Sequence, residues 1–115
     1  MKTGSEVWRF DPTLDSTTAT WEGYDVQARD GSIGKIDEMT TDVGRGCLVV
    51  DTGPWIFGHK RMIPAACVIS VDHAKQKVNV GLTKDQIKDA PDYDDMRRTD
   101  ASYYDDQEQY YGTWL

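Results

Sequence analysis

The sequence contains no apolar run approaching the roughly 20 residues that cross a bilayer, which predicts a protein without membrane insertion. The first ten residues hold no signal-peptide core either, because Glu6 and Arg9 interrupt Val7, Trp8 and Phe10. A cytoplasmic location is the expectation. Cysteine is scarce, and Cys47 and Cys67 fit reduced, buried thiols, with a single disulfide between them as the alternative. Together with His59 and His73 they lack the short spacing that lets one turn present paired zinc ligands, so no metal site is expected. Phosphate loops and dinucleotide fingerprints are missing as well, since Gly44-Arg45-Gly46 precedes a strand-like run and not a helix. No cofactor is expected. Positive charge is in deficit, with 13 Lys and Arg against 20 Asp and Glu. The net −7 predicts that nucleic acid and anionic membranes are not partners, because both need a cationic surface. From Asp89 onward eight acidic residues face only Arg97 and Arg98, which places −6 of that charge in the tail.

What remains is a chain of 115 residues, a length suited to one hydrophobic core. We divide it into an arm (1–20), a β-rich body (21–88) and an acidic, tyrosine-rich tail (89–115). In the body, Tyr24, Val26 and Ala28 alternate with polar residues at the period of a half-buried strand. Asp30-Gly31 follows, a dipeptide suited to a type I′ turn that folds 22–29 back on 33–40. Gly34 marks a bulge or a barrel corner. Cys47-Leu48-Val49-Val50 is apolar on both faces, as in a covered central strand. Met62-Ile63, then Cys67 to Val71, read as two strands with a kink at Pro64 between them. Val78, Val80 and Leu82 alternate in a last strand. Six short strands without intervening helices predict an all-β fold, a small antiparallel barrel whose closure removes free edges. Thr83-Lys84-Asp85-Gln86 has capping-box spacing and predicts a short helix that stops before Pro91. Beyond it, Met96 to Tyr111 predicts a weak helix, ordered when its aromatics dock.

Several ordered segments resemble the PRC-barrel family, named after the cytoplasmic domain of the photosynthetic reaction centre H subunit. They are Asp30-Gly31-Ser32-Ile33-Gly34-Lys35-Ile36-Asp37, Leu48 to Gly53, Trp55-Ile56-Phe57-Gly58, Ile63-Pro64-Ala65 and Val71-Asp72. Leu82 to Lys88 and Ala90-Pro91 are similar to the segment after the barrel in stand-alone bacterial members, and Tyr110-Tyr111-Gly112 to their common ending. The resemblance implies an antiparallel barrel without a catalytic centre that works by contacting protein partners. Its relatives include the reaction-centre subunit and a domain of a ribosome-maturation factor, and neither specific role is expected here.

The strongest rival motif is Val49-Val50-Asp51-Thr52-Gly53, which has the form of an aspartic-protease loop and suggests a dimeric site with two aspartates sharing a proton. Pro54 and Trp55 replace the small residues expected after its glycine. A second rival is a small-ligand or metal-binding sensor using the barrel mouth or the tail carboxylates, although these lack the glycine and terminal glutamate of an EF-hand loop. The favoured reading is a non-enzymatic scaffold, a homo-oligomer with an unidentified protein partner. Its candidate contact surface is Trp55, Phe57, Lys60 and Arg61, aromatic and cationic residues of the kind that dominate interfaces. Tyr110, Tyr111 and Trp114 of the acidic tail are its complement, within one chain or on a neighbour.

Overall fold

The computed structural model describes residues 6–10, 21–40, 46–53, 60–91 and 101–114, the side chains of 101 and 102 excepted. Six strands form one sheet: β1 (Asp25–Ala28), β2 (Gly31–Thr40), β3 (Cys47–Asp51), β4 (Lys60–Pro64), β5 (Val68–Asp72) and β6 (Lys77–Val80). Two helices follow, α1 (Lys84–Lys88) and α2 (Ala101–Gly112). The β-rich, six-stranded architecture is the one expected.

The strand order is β4-β3-β2-β1-β6-β5, so β4 and β5 stand at opposite edges. In a flat sheet five spacings of about 4.8 Å would hold them roughly 24 Å apart. Yet only a single 3-10 turn, Ala65–Cys67, separates Pro64 from Val68, and four residue steps reach about 14 Å at most. The sheet is therefore forced to roll. Following the pairings round, β4 and β5 run in the same sense, so they act as one bent ribbon serving both edges.

This explains where the architecture departs from the expected closed antiparallel barrel. With β4 and β5 counted as one ribbon the roll has an odd number of members, and alternation cannot run all the way round. One neighbouring pair must be parallel. That pair is β1 and β6, in register Val26 with Val78 and Gln27 with Asn79, while the other four pairings are antiparallel. The sheet is mixed, and it stays open because β4 and β5 do not pair with each other.

The first hairpin also differs in detail. Ala28 pairs with Gly31, so Arg29-Asp30 is the turn. Neither residue has positive φ, whereas a type I′ turn requires it at both central positions. Register is recovered by a bulge at Ile33, between the pairs Val26 with Gly34 and Gln27 with Ser32. Gly34 has φ +149, and a Cβ there would lie 2.1 Å from the Asp51 carbonyl oxygen of β3. Asp30 then serves a different purpose: its carboxylate accepts from the Lys84 amide at 2.8 Å. Thr83 caps α1 with both halves of the capping box present.

The rolled sheet encloses Trp21, Val26, Ile36, Leu48, Val50, Ile63, Val78, Val80 and Leu82 in one core. A second cluster lies on the other face of β3 and β4, where Cys47 and Met62 pack with Val7, Trp8 and Tyr103. The two-faced apolar run of β3 is thus covered on both sides. No disulfide forms among the described residues, and both Cys47 and Cys67 are buried thiols.

Gly34→Ala combines an unfavourable φ with a backbone overlap, so it should cost at least about 1–3 kcal/mol. A thermal melt followed by circular dichroism is expected to shift down by more than about 5 °C; an unchanged midpoint would contradict the close approach of β2 to β3.

Candidate functional site

Of the residues singled out in the sequence, Trp55 and Phe57 lie outside the described residues. The other five fall into two groups. Arg61, Tyr110 and Tyr111 come together around the end of α1, with the Trp114 side chain hydrogen-bonded to Tyr110, whereas Lys60 stands apart.

Arg61 sits on β4 and is 4% exposed. Its Nε donates to the Ile87 carbonyl at 3.2 Å, one Nη to the Lys88 carbonyl at 3.0 Å and the other to the Lys60 carbonyl at 3.3 Å. The Tyr110 hydroxyl of α2 donates to the Gln86 carbonyl. Three consecutive carbonyls at the end of α1, which a helix leaves without intrahelical donors, are therefore met by side chains from β4 and α2. A cation here also suits the negative end of the helix dipole. The guanidinium acts on the phenols of Tyr110 and Tyr111 as a nearby positive charge. The arginine expected to face a partner is thus engaged internally, and it ties β4, α1 and α2 together.

The tail folds back on its own chain. Tyr103, Gln107 and Tyr111 repeat at the four-residue interval of one helix face and are all buried. Tyr103 joins the outer cluster and Tyr111 the main core, so α2 runs along the β4 edge from one cluster to the other. Trp8 fixes it from the arm: its indole Nε1 donates to Glu108 Oε1 at 3.0 Å, and its ring meets Tyr104 edge-on at 5.0 Å. Tyr111 is fully buried, and its hydroxyl has no hydrogen-bond partner among the described residues. Burial pushes its phenol well above the usual value, with the neighbouring Cys67 thiol acting in the same direction.

Lys60 instead belongs to an exposed row of alternating charge. Cross-strand neighbours run Lys35, Asp51, Lys60 over β2, β3 and β4, and Lys60 Nζ meets Asp37, the bulged residue of β2, at 2.5 Å. That hydrogen bond raises the lysine pKa. Asp51, the aspartate of the protease-like motif, ends β3 exposed, and its carboxylate accepts from the Gly53 amide at 2.9 Å. The motif thus forms a turn beside two lysines. Among the described residues no three His, Cys, Asp or Glu gather as a metal site.

Two large apolar side chains are exposed among the described residues, Trp114 at 49% and Ile69 at 61%. Ile69 was not legible as a surface residue. It is the extra residue of a bulge in β5, between the pairs Val68 with Val80 and Ser70 with Asn79, which leaves Ile69 and Ser70 both exposed between buried Val68 and half-buried Val71. Gly81, just past the end of β6, lies beside it, where a Cβ would lie 3.4 Å from Ile69 Cγ2.

Fold and surface together define a small β-rich protein with a rolled mixed sheet and a docked C-terminal helix. The chain matches no family model and no curated protein. Among solved structures it is similar to one titled as the 16S ribosomal RNA processing protein RimM of Pseudomonas aeruginosa, at 23% identity and a TM-score of 0.49. That match covers 62% of this chain and 48% of the other, so this chain corresponds to about half its length. The expectation that nucleic acid is not a partner rests on net charge alone, and the protein named above, an RNA-processing protein, stands against it. A whole-molecule sum does not describe a local patch, and nucleic acid is not excluded. Among the described residues no helix is long and apolar enough to cross a membrane.

Two variants test this arrangement. Removing residues 101–115 uncovers the Cys47 cluster and the neighbour of Cys67, so both thiols should become reactive toward a chromogenic disulfide in native buffer; continued protection would contradict the docking of α2. Tyr111→Phe keeps the packing and removes a buried hydroxyl without a protein partner, so stability at neutral pH should be unchanged or higher by about 1 kcal/mol. Because the folded phenol titrates above its unfolded value of 10.0, its contribution is complete below that pH and is lost as pH rises beyond it. Urea midpoints should fall less steeply above about pH 10 in Tyr111→Phe than in the native chain.

Proposed function

We propose that the protein is a non-catalytic interaction module that binds another protein through exposed apolar side chains. One observation carries the reading: the contrast between polar groups engaged within the chain and large apolar side chains left exposed to solvent. Arg61 and Tyr110 hold α1, Asp51 holds its own turn, and Lys60 is paired with Asp37. Meanwhile Ile69 and Trp114 remain exposed. Isolated exposed apolar residues are ordinary, but these are the end of the docked helix and the middle of an edge strand. The PRC-barrel-like segments support the same reading, since that resemblance implies partner binding without chemistry.

The test is photocrosslinking in native cells, with a photoreactive phenylalanine at Trp114 and, as the control, at exposed Lys35. Position 114 should capture one discrete protein that position 35 does not. Equal labelling from both, or adducts containing nucleic acid and no protein, would contradict the proposal. Peptide hydrolysis by the native chain that Asp51→Asn abolishes would overturn its non-catalytic part.

A further inference from the structure

The two edges of the sheet are treated differently. Along β4, Arg61 to Pro64 are buried and α2 packs against the strand. β5 is paired with β6 on one side, and among the described residues nothing pairs with the other. An open edge presents alternate amides and carbonyls to any extended chain, and proteins commonly blunt it with lysine, proline or a covering element. β5 reads Val-Ile-Ser-Val-Asp, with neither lysine nor proline. Ile69 and Ser70 are both exposed on it.

We infer that β5 is a pairing strand and that its occupant is a second copy of this chain, whose own β5 adds antiparallel across a twofold axis at Ser70. This rests on reading the chain as an interaction module. Charge selects the occupant. Arg29 lies at the Val68 end of β5, where its Nε donates to the Gly81 carbonyl at 2.9 Å and a Cβ on Gly81 would lie 3.8 Å from its Nη2. Asp72 lies at the other end. Antiparallel pairing about Ser70 sets Asp72 of each copy beside Val68 of the other, at the same end as Arg29 but two strand spacings of about 4.8 Å from the Gly81 carbonyl that Arg29 holds. Opposite charges then stand a Debye length of about 8–10 Å apart. The two Asp72 residues lie farther apart, on opposite ends of strands about 13 Å long. No like charges face each other along the paired segment, because Val68, Ile69, Ser70 and Val71 are neutral. The interface is self-complementary, as twofold symmetry demands, and backbone ladder bonds supply its affinity.

The experiment is sedimentation velocity on the full chain from micromolar to millimolar concentration. The native chain should pass from monomer to dimer. Ile69→Lys, at an exposed position, should remain monomeric with an unchanged circular dichroism spectrum and melting temperature. Arg29→Asp and Asp72→Arg should each weaken the dimer about two- to threefold at low salt, and the double exchange should restore it. As a measure independent of affinity, Ser70→Cys should form an intermolecular disulfide under mild oxidant much faster than Lys77→Cys, because strands paired at Ser70 bring the two Cα atoms to about 4.5–5.5 Å. A native chain monomeric at millimolar concentration, an Ile69→Lys dimer as stable as the native one, or equal oxidation of the two cysteine variants would overturn the inference. None of these outcomes touches the interaction reading itself, which the Trp114 crosslink decides separately.

Discussion

The short path from Pro64 to Val68 governs this molecule. Because a single 3-10 turn carries the chain from one edge of the sheet to the other, a flat sheet is impossible and the six strands roll around Trp21 and its neighbours. The same constraint turns β4 and β5 into one bent ribbon and makes the number of members odd. The parallel pairing of β1 with β6 follows. It also leaves a gap where the two edges part, and the rest of the fold answers to that gap.

On the β4 side the gap is filled. α2 lays Tyr103, Gln107 and Tyr111 along the edge, Trp8 fastens it from the arm, and Arg61 and Tyr110 join α1 to the same place through three consecutive carbonyls. The joint carries a cost, because Trp21 Nε1, Gln107 Oε1 and the Tyr111 hydroxyl are buried without hydrogen-bond partners among the described residues. Aromatic burial has to outweigh it. On the β5 side the described residues provide no such cover, and Ile69 stands in the open. The asymmetry of the two edges connects the architecture to an interaction role.

Much of this was legible in the residues, wherever a local rule determines the outcome. Alternation at Val26 and Ala28 and at Val78 and Val80 marked strands, Gly34 marked a bulge, and Thr83 with Gln86 marked the start of α1. The two-faced run at Cys47 to Val50 announced a covered strand, although not that its outer cover comes from the arm and the tail. What failed to show depends on contacts distant in sequence. The parallel pair follows from the ring as a whole and not from any hairpin. The first turn lies one residue earlier than expected, and the Asp30 carboxylate is used at the Lys84 amide, 54 residues away. Arg61 read as a surface cation because nothing nearby in sequence reveals the helix end it binds. Ile69 read as one more strand residue because its bulge is set by the partner strand. Trp55 and Phe57, the first residues of the expected contact surface, lie outside the described residues.

The most direct test of the unequal edges is residue-resolved amide hydrogen exchange on dilute, monomeric protein. Slow exchange is expected throughout β3, which is flanked on both sides, and along β4 beneath α2. In β5 alternation is expected, with amides facing β6 slow and those facing outward exchanging as fast as in the turn at His73 to Gln76. Uniform protection along β5 equal to that of β3 would show that another segment already pairs with it, and would contradict the open edge on which this account depends.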